Sequence, residues 1–216
     1  AAQTMYQGRG RCGVNQMRGS AFVSIRPGDW DAVPPLATDK APYNQQQFGG
    51  TLRGPIVRGR LFYFGSYEHR RERSHTVVTS PAAAGTIVAT PADESQPHIR
   101  IDAQLSERHA LAVRYNRVGW NQDVELGGLN LPGSGFLVDN DVDTVHAQFN
   151  SALPSTFTNE LRAQFSRYHD DRVSKPRTPT ITRLGYSIEG ADVFSGAGSG
   201  VNPEDTVDVS DTVSLA

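Results

Sequence analysis

The sequence predicts an all-β chain, an antiparallel meander of long hairpins. Three observations carry that prediction: apolar and polar side chains alternate with period two, short polar turns separate pairs of alternating segments, and the connections at the opposite ends are long. Residues 17–26 form a first strand. The stretch 43–67, YNQQQFGGTLRGPIVRGRLFYFGSY, then contains two segments of about ten residues or more on either side of Val57, Arg58, Gly59 and Arg60. Gly59 supplies the backbone angle a tight turn needs, and the arginines keep that turn in water. Pro55 has no amide hydrogen for a ladder, so it belongs at the strand end beside the turn.

The plan recurs downstream. In 98–105, Ile99, Ile101, Ala103 and Leu105 alternate with His98, Arg100, Asp102 and Gln104. Ser106, Glu107, Arg108 and His109 make the turn, and the return sets Leu111, Val113 and Tyr115 against Ala112, Arg114 and Asn116 before Trp120. A third hairpin sets Val145, Ala147 and Phe149 against His146, Gln148 and Asn150. It turns at Pro154, Ser155 and Thr156, and returns with Phe157, Leu161, Ala163 and Phe165 against Glu160, Arg162, Gln164 and Ser166.

Residues 79–97 and 119–142 read as long loops rich in Pro, Gly and Asp, which puts short turns at one end of the sheet and long loops at the other. Transmembrane β-barrels show that asymmetry, with short periplasmic turns, long extracellular loops and strands of about nine to eleven residues. The expected fold is therefore a partial transmembrane β-barrel in the bacterial outer membrane. Its polar interior is assigned to Arg100, Asp102, Arg114, His146, Gln148, Arg162 and Gln164, and its lipid face to Leu111, Val113, Phe149 and Phe165. Phe62, Tyr63, Phe64 and Phe157 near the turns, with Tyr67, Trp120 and Tyr168 toward the loops, are expected to form two aromatic girdles.

Composition agrees with this fold. The 216 residues are 37% hydrophobic and 20% charged with a net charge of -2, so the chain lacks the basic footprint of a nucleic-acid binder and the bias of a disordered tail. No apolar run approaches the length of a membrane helix, and a barrel strand escapes such a search because only every second residue meets lipid. Cys12 is the single cysteine, which excludes an internal disulfide and a cysteine-based metal cluster. The chain opens AAQTMYQ without a leader, so the export signal is expected upstream. The stretch 171–216 reads as a loop without a closing strand, which leaves about seven strands and an incomplete barrel.

Catalytic patterns are not met, and no enzymatic activity or cofactor is expected. Neither Ser134 nor Ser199 has the flanking glycines of a nucleophile elbow, and the six histidines lack metalloprotease spacing. The glycines of 196–200 are followed by no phosphate-binding Lys. Asp139, Asp141 and Asp143 resemble the opening of a calcium loop, but Thr144 and Asn150 stand where its Gly and bidentate Glu would be, leaving a looser surface site or a solvated strand entry. The run Glu68 to Arg73 extends a strand beyond the aromatic zone, where its charges face water or pair across strands; its arginine forks also suit an anion.

Particular blocks also carry a family likeness. Asn15-Gln16, Gly19-Ser20-Ala21-Phe22, Gln47-Phe48-Gly49-Gly50-Thr51-Leu52, Gly54-Pro55-Ile56, Arg60-Leu61-Phe62, Phe64, Tyr67-Glu68, and Arg100 with Asp102 resemble TonB-dependent outer-membrane receptors. The likeness is to the Oar-like group, which carries a carboxypeptidase-regulatory-like domain, and it covers roughly 8–170. It departs at Cys12, Val14 and Arg18, where the group more often has Ser, Thr and His, and at Arg53, where Gly is usual. The resemblance implies that 1–16 is the end of the plug leading into the barrel and that 17–216 is the N-terminal part of the barrel. It further implies partnership with the TonB complex through a plug region outside the chain, contact with outer-membrane lipid, and uptake of a large scarce ligand such as a siderophore, glycan or peptide. The alternative from another class is a secreted or surface β-rich adhesion or carbohydrate-binding module, which also clusters long loops at one end of a sheet.

Overall fold

The computed structural model of the protein describes residues 15–30, 42–124, 126–133, 135–153, 157–174, 181–183, 186–189 and 203–215. Its strands are β1 (Arg18–Pro27), β2 (Asn44–Val57), β3 (Leu61–Val77), β4 (Ile87–Gln104), β5 (His109–Val124), β6 (Phe136–Leu153), β7 (Phe157–Ser174), β8 (Ile181–Arg183), β9 (Tyr186–Glu189) and β10 (Glu204–Leu215). Eight of them form one antiparallel sheet in the order β1-β2-β3-β4-β5-β6-β7-β10, with β1 and β10 at its edges, while β8 and β9 pair separately. Neighbours in sequence are neighbours in space from β1 to β7, as short turns demand.

The turns fall where the sequence puts them. Between β2 and β3, Gly59 adopts φ 73° and the Arg60 amide donates to the Val57 carbonyl at 3.1 Å. Pro55 lies beyond the last pair of β2 with β1 and next to a register shift against β3, so its missing donor breaks no ladder bond. Residues 154–156, the predicted third turn, lie outside the described residues; the pair Leu153 and Phe157 closes the hairpin around them.

Two predicted loops shrink. Residues 87–97 belong to β4, and 119–124 and 136–142 belong to β5 and β6. Pro91 and Pro97 concealed the first of these. Both sit on an interior strand, but the β4–β5 ladder begins at Ala92 and lapses between the pairs Ser95 with Gly119 and His98 with Asn116. Neither proline is asked for a hydrogen bond to β5. The 171–216 segment is likewise not one loop: β7 continues to Ser174, and β10 pairs with β7 from Glu204 opposite Tyr168 to Leu215 opposite Phe157.

The sheet is a single layer. Among the described residues the buried apolar side chains are Phe62, Val78, Leu131, Phe136 and Val138, too few for the interior of a soluble sandwich. Val78 belongs to a clasp between two loops that are not sequence neighbours. There the Thr79 and Ser80 amides donate to the Gly128 carbonyl at 2.6 and 3.1 Å, and the Gly128 amide donates to Val77 at 2.9 Å. Gly127 makes the clasp possible, since it has φ 80° and a Cβ there would lie 2.3 Å from Thr76 Cγ2.

Candidate functional site

Residues paired across an antiparallel ladder point to the same side, so the registers sort every strand residue onto one of two faces. One face is apolar through a band that only Asp211 on β10, opposite Leu161, interrupts with a charge at mid-height among the described residues: Val23 and Ile25 on β1, Phe48 and Leu52 on β2, Tyr63 and Tyr67 on β3, Ile99 and Ile101 on β4. The band continues with Leu111 and Val113 on β5, Val145 and Phe149 on β6, Leu161 and Phe165 on β7, and Val207 and Val209 on β10. Most of these stand exposed, with Val23 at 72% and Ile99 at 53% although both lie in paired strands. The four residues expected to face lipid, Leu111, Val113, Phe149 and Phe165, all lie on this face. On β6 the band runs from Val145 to Leu153, about 25 Å along the strand and close to the apolar height of a barrel wall.

The upper limit of the band is slanted across the ladder. Apolar outward residues reach Ile25 on β1, Phe48 on β2, Tyr67 on β3, Tyr115 on β5 and Val145 on β6, whereas Asp139, in the same register row as Ile25, is charged. Strands tilted against a flat bilayer produce that slope, because a row perpendicular to the strands must leave the hydrocarbon at one side.

The opposite face is polar, and the structure brings all seven predicted interior residues onto it, in two adjacent rows. Arg100, Arg114, His146 and Gln164 form one row across β4 to β7; Asp102, Gln148 and Arg162 lie in the next. Arg100 grips Asp102 with both Nε and Nη2, at 2.9 Å to Oδ2 and 2.7 Å to Oδ1. Arg162 pairs with Glu160, whose other oxygen accepts from Gln148 Nε2 at 3.0 Å. Gln164 Nε2 donates to Ser166 Oγ at 3.3 Å. Arg114 stands between these groups without an ion pair of its own among the described residues, and His146 Nδ1 beside it is buried without a partner. The patch therefore holds three guanidiniums against two carboxylates, an unspent donor set suited to carboxylate or phosphate oxygens. Glu160 is the member that sequence reasoning left off the list. Its parity with Arg162, two residues on, was the available signal.

The girdle expectation is corrected in part. Tyr63, Phe157 and Tyr67 do point outward, but Phe62, Phe64, Trp120 and Tyr168 lie on the polar side. Phe62 is buried and Phe64 packs edge-on against His98 at 5.5 Å. Tyr115 is outward instead, its hydroxyl donating to Asp143. Aromatic identity drew the girdle in sequence, and strand parity redraws it.

Asp139, Asp141 and Asp143 fall on alternate residues of β6, where they line up along the outward face and do not converge. Asp141 accepts from Arg117 Nη2 at 2.6 Å and Asp143 from Tyr115, and no group of side chains able to hold a metal occurs among the described residues. Cys12, Ser134, Ser199 and 196–200 lie outside the described residues.

An open antiparallel wall with one exposed apolar side and one polar side is the wall of a transmembrane β-barrel. Residues 11–87 match the family model of an outer membrane beta barrel domain. No curated protein and no solved structure matches the chain. The chain is an outer-membrane β-barrel protein, and its location is the bacterial outer membrane.

Proposed function

We propose that this chain forms the N-terminal part of the barrel wall of a TonB-dependent transporter that takes up a ligand too large for a porin. The observation that carries this reading is strand length. β3 to β7 run 17, 18, 16, 18 and 18 residues, while about nine to eleven suffice to cross the membrane. The extra length raises the wall beyond the bilayer on the loop side and extends the polar inner surface that a large ligand would travel along. Most of the blocks that resemble Oar-like receptors, from Gly19 to Glu68, lie on β1, β2 and β3, with Arg100 and Asp102 on β4, and so lead the chain into this wall. The wall has no catalytic constellation in this reading; it works by shape, charge and solvation, with energy supplied through the plug.

The test uses the full-length protein. In planar bilayers a plugged transporter shows no steady conductance, and the purified protein binds the periplasmic domain of TonB. Steady porin-like conductance together with no TonB binding would replace the transporter by a passive channel. The adhesion-module alternative lacks support, because no second layer covers the apolar face among the described residues.

A further inference from the structure

Above the apolar band, period-two alternation divides the charged run on β3 between the two faces. Glu68, Arg70 and Glu72 turn inward, where Arg70 pairs with Glu94 at 2.8 Å. His69, Arg71, Arg73 and His75 turn outward on four successive positions. Among the described residues the two outward arginines share one carboxylate: Asp93 receives Arg71 Nε at 2.8 Å and Arg73 Nη1 at 3.5 Å, with His69 Nε2 3.9 Å away. Both arginine side chains remain about half exposed, and Arg71 engages Asp93 through Nε, which leaves its terminal Nη1 and Nη2 donors outside that bridge.

The surroundings specify what those donors meet. Directly beneath lie Phe48 and Tyr67, the top of the lipid-facing band, with the Phe48 ring 5.2 Å from the His69 ring. The neighbouring outward positions on β2 are Gln46 and Asn44, polar and uncharged. A surplus of guanidinium charge continuous with the hydrocarbon band, on the loop side of an outer-membrane wall, sits at the depth of lipid headgroups. We propose that Arg71 and Arg73, propped by Asp93, form a binding site for the phosphate groups of an anionic outer-leaflet glycolipid whose acyl chains pack on Phe48 and Tyr67. Asp93, directly opposite Arg71 in the ladder, holds that side chain at Nε, which leaves its Nη1 and Nη2 edge to the phosphate oxygens. The patch has a built-in contrast on the same face: the outward upper positions of β6 are Asp139, Asp141 and Asp143, which no phosphate would favour.

The decisive experiment measures lipid retained by the full-length protein in native mass spectrometry, using diphosphoryl lipid A, its dephosphorylated counterpart and inorganic phosphate as probes. Wild type should retain the diphosphoryl lipid over the dephosphorylated one. R71Q/R73Q should lower that retention about 5- to 30-fold, the range that one or two arginines contribute near an anionic lipid surface. R73Q, which leaves the Arg71–Asp93 bridge intact, should give a smaller drop and serves if the double variant does not fold. D139N/D141N should leave retention unchanged. Equal retention of the two lipids, wild-type retention by R71Q/R73Q, an equal loss in D139N/D141N, or displacement of the lipid by inorganic phosphate at matching concentration would each overturn the proposal.

Discussion

The two faces of this wall are built from the same strands and obey different limits. The inner face carries charged groups from turn end to loop end: Asp102 and Arg162 near the turns, Glu94, Asp170 and Arg172 near the loops. The outer face changes partway up, from Val145 and Phe165 to Asp143 and Arg167 within one residue pair. Water bathes the inside at every height, but the outside meets hydrocarbon only across the bilayer, so only the outward residues record where the membrane stops. The difference teaches that the outer half of the alternation measures depth, while the inner half measures function.

That contrast is breakable, most forcefully at mid-band. Val113 lies outward in the row of Tyr63, Ile101 and Ala147, whereas Gln148 lies inward one row away. Val113→Arg should cost roughly 2–4 kcal/mol of folding stability in bilayers, while Gln148→Arg should cost far less, as read by denaturant unfolding from vesicles. Equal costs would dissolve the distinction between the faces. Gly127→Ala comes next, since a side chain at φ 80° pressed against Thr76 should open the loop clasp by about 1–3 kcal/mol. Hydrogen exchange at the Thr79 and Gly128 amides should report it, with strand amides at mid-band unchanged.

On the inner face, Arg100→Ala should change stability by at most about 1 kcal/mol, because its pair with Asp102 is half solvated; unfolding of the same preparation checks it. Labels disturb least and sharpen most. Ile25 and Asp139 share a register row, so fluorophores on Ile25→Cys and Asp139→Cys should differ in quenching by bilayer-embedded quenchers, strong at the first and weak at the second. Equal quenching would remove the slant and with it the strand tilt.

Much of this was legible because alternation is a property of the chain itself. The seven residues expected inside and the four expected toward lipid could be sorted by parity alone, and in the sheet the seven share one face and the four share the other. What misled was the ending of that signal. Once a strand rises out of the membrane its outward positions turn to Asp, Arg and Pro, as in PADESQP on β4, and polarity then looks like loop although backbone pairing continues. In β10, the outward Asp205 and Asp211 interrupt the alternation around Val207 and Val209, and the strand reads as loop for that different reason.

By itself, then, the sequence determined the all-β class, the turn at Gly59 and which residues of the central hairpins share a face, because turn angles and period-two patterning depend on neighbours along the chain. Only the tertiary structure decided how far the strands extend, which aromatics face lipid, that Arg71 and Arg73 share Asp93, and that the membrane boundary runs aslant. Those depend on register between strands distant in sequence, and register is settled by ladders and tilt that no single segment contains.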